Sequence, residues 1–351
     1  MSAVLLECAR SWEEASTFDW NGMAERAGNV FGTAEWVSGW WLRRAGQGRM
    51  FTAVCRRPGE EPFALLPLYV WSRGTLRMLR LLGHGPSDQL GPLCRPEDRD
   101  CAAVALRQAV AAARADMLYA EDVPRAEGWA DRMDAVVART ASSRVLTLDG
   151  AAWDAYLAAR SRHFREQVRR RERGLLKEGL RFRRTTDPAR LEADLDLLFA
   201  LHRRRWEGVD TAFSRQEDFH RRFARAALDR GWLRLWFLEA GGGEVAALYN
   251  LRFAGVESYY QAGRDPAWNR SAVGFMLLAH AIRDAIEAGM GEFRFGRGEE
   301  PYKQRFTDED PQLETFLVAH GVKGRLAVSA ADAARTSARA RRMMRRALRT
   351  G

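Results

Sequence analysis

The chain is expected to fold as an α+β protein in two lobes, and three observations carry that expectation. Its 351 residues exceed what one hydrophobic core usually serves. Between Val245 and Phe306 a strand, a tight turn, a second strand, a loop, a helix and a short third strand follow one another. Before Gly150, strands and helices alternate in a similar way.

In chain order, Leu5 to Cys8 reads as a first strand, followed by an aromatic-rich segment from Trp12 to Ala27. Thr33 can cap a helix that sets Trp36, Trp40 and Trp41 at helical spacing, a core pattern. Met50–Arg56, Phe63–Trp71 and Leu76–Leu82 read as a meander of strands separated by RRPGEEP and SRG turns. GHGPSDQLGPL is too rich in glycine and proline for regular structure and gathers His84, Ser87 and Asp88 in one loop. Ala102–Ala115 is expected as a helix, Met117–Glu121 as a strand, Trp129–Arg139 as a helix and Val145–Leu148 as a strand that closes the first lobe near Gly150.

The second lobe opens with a helix from Trp153 to Glu178. Phe164, Val168 and Leu175 form its apolar stripe; Arg162, Arg165, Arg169 and Arg173 form a basic one, eased in part by Glu166 and Glu172. That basic stripe is either a solvated face or a contact for an anionic acceptor through Arg162 or Arg165, because arginine pairs with phosphate and carboxylate bidentately. A strand over 180–185 and helices over 187–208 and 216–230 follow. His202 and Trp206 stand one helical turn apart, either lining a groove or packing the helix on the sheet. VAALYNLRFAGVESYYQAGRD then gives two strands around Ala254-Gly255, and Tyr260 on the second is a candidate to touch substrate. Phe275, Leu278, Ile282 and Ile286 recur at helical spacing until Gly289. A helix start presents unpaired N–H groups and the positive end of the macrodipole. The loop that brings Arg264, Asn269, Arg270, Ser271 and Gly274 to it, with Phe275 in the first turn, is therefore a candidate cradle for phosphate or pyrophosphate. EFRFGRGEEPYKQRF supplies a short strand, a glycine-flanked turn and the Tyr302-Lys303 pair, and 312–319 a last strand expected to complete this sheet.

Charge narrows the partners. The net +10 is concentrated in two segments: residues 335–351 hold seven arginines and no acid, and residues 160–177 hold eight basic side chains against two acidic ones. The rest is close to balanced, which argues for local anionic contacts more than for a general nucleic-acid surface. The arginine-rich tail reads as a basic amphipathic helix that either lies on anionic lipid, touches RNA or docks on the protein. No apolar run approaches the roughly 20 residues that span a bilayer, and the first residues lack the pattern of a secretory signal, so a cytoplasmic protein is expected. Cys8, Cys55, Cys94 and Cys101 show neither CxxC pairs nor histidines at ligand spacing, so neither a metal site nor a disulfide scaffold is expected.

The 245–306 succession resembles the acyl-CoA-binding half of a GNAT acyltransferase. GRDPAWNRSAVGFMLL and FRFGRGEEPYKQRF are similar to the CelD-like acetyltransferases of cellulose biosynthesis, themselves related to the Fem-type aminoacyl transferases of cell-wall synthesis. The resemblance covers roughly Leu5 to His320. It implies two tandem GNAT-like lobes, each a mixed, mostly antiparallel sheet flanked by helices: a degenerate lobe over 1–150, a donor-binding lobe over 151–325 and the basic helix over 326–351. The usual GNAT signature, glutamine or arginine, two residues, glycine, one residue, then glycine or alanine, is not matched, since 270–274 supplies one glycine.

What the resemblance implies for chemistry is transfer from acetyl-CoA or another acyl-CoA to the amine or hydroxyl of a sugar, peptide-like or natural-product acceptor. The oxyanion donor would be a backbone N–H where strands splay near Tyr259–Gly263, and the pyrophosphate would sit near Ser271–Phe275. Asp88 or His84 is a candidate base or orienting group, against the plainer reading of an Asx-type turn. Tyr302 and Lys303 are catalytic candidates; Lys303 either polarises the carbonyl or pairs with Glu299, Glu300 or Asp308 at the surface. Arg165 is implied, by analogy with the Fem-type basic helix, to face a phosphate-bearing acceptor. Two other readings stay open: an aminoacyl-tRNA donor on the same fold, and a non-catalytic ligand-binding or membrane-associated protein.

Overall fold

The structure, a computed structural model, describes residues 4–336 apart from 45, 149, 151, 208 and 210. It forms two compact units, one of Met1–Ser142 with Pro311–Gly351 and one of Ser143–Asp310. The arginine-rich end of the tail, 337–351, lies outside the described residues. The strands are β1 (Leu5–Ala9), β2 (Arg49–Met50), β3 (Thr52–Arg56), β4 (Pro62–Leu66), β5 (Leu68–Arg73), β6 (Leu76–Leu81), β7 (Leu93–Cys94), β8 (Met117–Pro124) and β9 (Val136–Ala141). They continue with β10 (Ser143–Thr147), β11 (Arg181–Arg184), β12 (Leu233–Ala240), β13 (Gly243–Phe253), β14 (Val256–Arg264), β15 (Glu292–Arg297) and β16 (Leu313–Ala319).

The first unit contains a four-stranded sheet, β1-β3-β4-β7, and a six-stranded one, β2-β5-β6-β8-β16-β9. The expected meander is split between them. At Phe51 and Pro67 the chain leaves one sheet for the other: the Phe51 N–H donates to the Leu68 carbonyl at 3.0 Å and the Pro67 carbonyl accepts from the Leu82 N–H at 2.8 Å. Proline has no N–H to extend a ladder, so a continuous apolar run becomes two short strands. The core gathers Phe51, Leu68, Leu79, Leu106, Leu118 and Trp129. Trp129–Arg139 is not one helix. It stops at Arg132, Asp134 turns the chain at φ +43°, and the β-branched residues that follow pair as β9.

The second unit holds one six-stranded sheet, β10-β15-β14-β13-β12-β11, antiparallel except for β14 beside β15. Two strands thus sit in the other unit from the one expected. β10, placed by sequence at the end of the first lobe, pairs with β15; β16, placed in the second, lies between β8 and β9. Apolar alternation marks a strand but not which sheet edge receives it. Each unit repeats one arrangement: a hairpin (β5–β6 or β13–β14), a helix (Arg99–Ala112 or Val273–Glu287), and a strand parallel to the hairpin's second strand (β8 or β15).

The helix starts differ in charge. Glu97, Asp98 and Asp100 surround the start of the Arg99–Ala112 helix, whereas the Val273–Glu287 helix has no acid in its first turn. Acids at a helix N-terminus satisfy it and repel phosphate, so an anion site is favoured in the second unit alone. The last described helix, Gly321–Thr336, comes close at Gly324 to the residue before β8; a Cβ there would lie 1.7 Å from the Asp116 carbonyl oxygen. Among the described residues no helix is long and apolar enough to cross a membrane.

Candidate active site

β14 and β15 set the site. Their parallel pairing covers only Val256–Ser258 against Glu292–Arg294, although β14 runs on to Arg264 and β15 to Arg297. The β14 backbone beyond Ser258 is therefore released from β15, at the position expected for the splay. A bulge falls on the same stretch: Tyr249 opposes Gln261 and Asn250 opposes Tyr259, leaving Tyr260 as the extra residue. The Leu191–Arg205 helix covers β14 closely, since a Cβ on Gly263 would lie 2.5 Å from the His202 nitrogen.

The gap opens into a cavity of about 350 Å³ lined by Leu248 of β13, Tyr259 and Arg264 of β14, Asn269, the helix start at Ala272–Phe275, Arg205 and Tyr302. One end is built for an anion. No side chain caps the Val273–Glu287 helix, and its N-cap Ala272 stands at φ +55°. That left-handed conformation strains an L-residue and not a glycine, so Ala272 holds the turn into the helix at some conformational cost. Arg264 donates from Nε to Asn269 Oδ1 at 2.7 Å, bracing the loop. Its guanidinium pKa is lowered by burial and by neighbouring Arg205, a mutual repulsion that a bound anion would relieve.

At the other end stand the two tyrosines. The Tyr302 hydroxyl is hydrogen-bonded to Tyr259, and Arg205 is in turn bonded to Tyr259. Burial first, then Tyr259, pushes the Tyr302 phenol above its ordinary range, so it is an O–H donor at any neutral pH. Arg205 also donates to the Ala262 carbonyl at 3.3 Å.

Arg264, Asn269, Gly274, Phe275 and Tyr302 of the candidates line this cavity; Arg270 and Ser271 belong to the adjoining loop. The others lie elsewhere. Tyr260, displaced by the bulge, is buried among Phe213, His220 and Tyr249 and is a core residue. His202 is buried too, with Nδ1 3.1 Å from the Ala262 carbonyl and Nε2 2.9 Å from Thr211 Oγ1; burial lowers its pKa to about 4. It packs the helix on the sheet. Trp206 is 39% exposed at the end of that helix, under the Arg205 guanidinium. Arg162 is exposed and paired with Glu166 at 2.7 Å. Arg165 donates to the Ala158 and Arg160 carbonyls at 3.1 and 2.6 Å, closing the preceding helix end.

Lys303 makes one of its expected ion pairs, with Glu300, but does so buried and not at the surface. It is 1% exposed, and Nζ lies 3.1, 3.1 and 3.4 Å from the carbonyls of Gly296, Arg297 and Gly298 and 2.8 Å from Glu300. An ammonium has three protons, all committed here, so none remains for a substrate carbonyl. Lys303 clamps the glycine turn that presents Tyr302.

In the first unit, His84 is buried under Trp40 and stacked on Tyr69, whose hydroxyl is 2.7 Å from Nε2. Arg80 can only donate, so Nδ1, 3.4 Å away, accepts and Nε2 carries the proton. Burial, then Arg80 and Arg44, lowers its pKa to about 2, which makes it a weak base. Ser87 accepts from Trp36 Nε1 at 2.8 Å and donates to the Gly83 carbonyl at 2.7 Å. The loop is thus fixed by its own polar groups, and Asp88 sits half-buried on it.

Sequence reasoning missed Tyr259, Arg205 and Leu248. Tyr259 was the ambiguous half of a Tyr-Tyr pair, since alternation alone cannot tell which tyrosine faces inward across a bulge.

Residues 162–304 match the family of acetyltransferase (GNAT) domains. The residues that line the cavity at the splayed strands all fall within that matched stretch. The fold extends over both units. FemX aligns over 90% of this chain and 97% of its own at TM-score 0.63 and 11% identity. The C-terminal domain of a putative lysylphosphatidylglycerol synthetase from Agrobacterium fabrum covers 88% of this chain and 95% of its own, at TM-score 0.53 and 14% identity. L-PGS from Bacillus licheniformis covers 88% and 94%, at TM-score 0.53 and 12% identity. No curated protein matches the chain.

Proposed function

We propose that the protein is an acyl-CoA-dependent N- or O-acyltransferase, acting on a sugar, peptide-like or natural-product acceptor by direct transfer. One observation carries the reading: a single cavity joins an uncapped, acid-free helix start with Arg264 and Asn269 to a released β14 edge and a protonated tyrosine. That is the layout of a thioester donor, anionic at one end and reactive at the other.

The pyrophosphate of coenzyme A would sit at 272–275 against Arg264, and the pantetheine arm would run along β14 past Leu248. The thioester carbonyl would face the backbone freed at Tyr259–Gly263, whose N–H stabilises the developing oxyanion. The acceptor nitrogen or oxygen attacks the carbonyl carbon, the new C–N or C–O bond forms as C–S breaks, and the acceptor's proton ends on the coenzyme A thiol. Tyr302 donates a hydrogen bond to the departing sulfur, with Arg205 behind Tyr259 supplying positive charge. Asp88 remains the proposed orienting group of the first unit, which is read as a degenerate copy without a donor site of its own. The CelD-like resemblance supports the acyl-CoA donor, and a cytoplasmic setting with the basic tail as a local anionic contact completes the proposal.

The test is release of free thiol from acetyl-CoA in the presence of a panel of amine and hydroxyl acceptors. Acceptor-dependent release is expected, with Tyr302→Phe lowering kcat by about 10–100-fold at little change in KM for acetyl-CoA. Absence of coenzyme A binding alongside salt-sensitive binding of aminoacyl-tRNA would replace this reading with the Fem-like one.

A further inference from the structure

A second cavity of the same unit, about 340 Å³, lies where the residues after Tyr302 meet the start of the Arg162–Leu176 helix. Its lining includes Arg160, His163, Phe164, Gln304, Arg305 and Asp308. It shares a wall with the first. Phe275, which lines the donor cavity, packs on Phe164 with ring centroids 5.5 Å apart, and the Arg305 guanidinium lies 4.5 Å over the Phe275 ring. Arg171, beside Arg305, reaches back to the donor loop, where it donates to the Arg270 carbonyl.

The cavity sets two arginines and a histidine against a single acid, Asp308. Arg305 is bonded to the neutral Gln167, and its pKa is held down by burial and by Arg171. Arg160 donates to the Phe306 carbonyl at 3.0 Å and faces Asp308 at 4.0 Å, a carboxylate 93% exposed and well solvated. Two guanidiniums and an imidazole around one hollow, next to aromatic rings, suit a phosphate joined to a planar base.

We propose that this cavity receives the nucleotide end of coenzyme A, with the ribose 3′-phosphate between Arg305 and Arg160 and His163 beside it. The inference rests on the reading of the first cavity as the coenzyme A site. The donor then spans both cavities: thioester at β14, pyrophosphate at the 272–275 helix start, and the phosphorylated ribose across the Phe275 wall.

The test compares coenzyme A with dephospho-coenzyme A, which lacks only that phosphate, by calorimetric titration of the full chain. Coenzyme A is expected to bind at least about tenfold more tightly. In Arg305→Gln and Arg160→Gln, coenzyme A should weaken to the level of dephospho-coenzyme A, whose own affinity stays within about twofold of its value in the unaltered protein. Equal binding of the two ligands to the unaltered protein overturns the subsite and leaves the donor reading standing. Binding of neither overturns both. Tight, salt-steep binding of tRNA with no response to either ligand assigns the cationic cavity to a nucleic acid instead.

Discussion

Replacing Lys303 with methionine separates a structural from a catalytic lysine. Nζ binds three main-chain carbonyls, of which that of Gly296 is buried and those of Arg297 and Gly298 are partly so. Hydrogen bonds to a charged donor contribute about 1.5–3 kcal/mol each. Counting the buried carbonyl in full and discounting the two that water can reach gives a loss of about 2–4 kcal/mol, with Glu300, 45% exposed, left to solvent at small cost. For a unit of this size the melting transition should fall by roughly 5–15 °C. The assay is thermal unfolding by circular dichroism, paired with thiol release from acetyl-CoA well below the transition. The expected result is a lowered Tm with turnover per folded molecule within about threefold of the unaltered protein. A Tm within about 1 °C of the unaltered protein, with turnover down about 100-fold or more, would show that the ammonium acts on the reaction and refute the clamp.

Three further outcomes follow from the same geometry. Gly263→Ala should lower stability by about 1–3 kcal/mol and weaken coenzyme A binding, because its Cβ meets helix backbone at 2.5–2.6 Å; unchanged denaturation and binding would contradict the packing. Ala272→Gly should raise the denaturation midpoint by up to about 1 kcal/mol by removing a left-handed alanine, while Ala272→Val should lower it; the opposite order would deny the strain. His84, neutral when folded because its pKa lies near 2, gains a proton on unfolding below the ordinary histidine value of 6.5. Its contribution is therefore complete above pH 6.5 and is lost as pH falls, by about 2 kcal/mol between pH 6.5 and 5. His84→Gln should flatten that part of the stability profile, and an unaltered slope would count against the buried neutral ring.

The legible part of this chain was local. The β13–β14 hairpin and the helix after it were readable, because turn glycines and apolar spacing act over a few residues. What escaped was decided by partners distant in sequence. β10 and β16 alternate as strands should, yet nothing in either says that they pair with β15 and β8. The pair of Lys303 with Glu300 was legible, but its burial was not, because the other partners are main-chain carbonyls, which leave no mark in the residue types. Tyr260 and Tyr259 were exchanged by one bulge residue. The left-handed turn at Ala272 escaped because its residue type does not announce it.

The central claim is that the Val273–Glu287 helix start binds the anionic part of the donor. Calorimetric titration of acetyl-CoA into the unaltered protein and Gly274→Asp tests it directly. A Cβ at 274 meets only the Arg264 side chain, at 3.7 Å, and an acid in the first turn favours the helix, so the fold should be unharmed while a negative charge occupies the proposed phosphate position. The account predicts saturable binding to the unaltered protein and a loss of at least about tenfold in the variant with no fall in Tm. Equal affinity in both proteins, or no binding to the unaltered one, would contradict it.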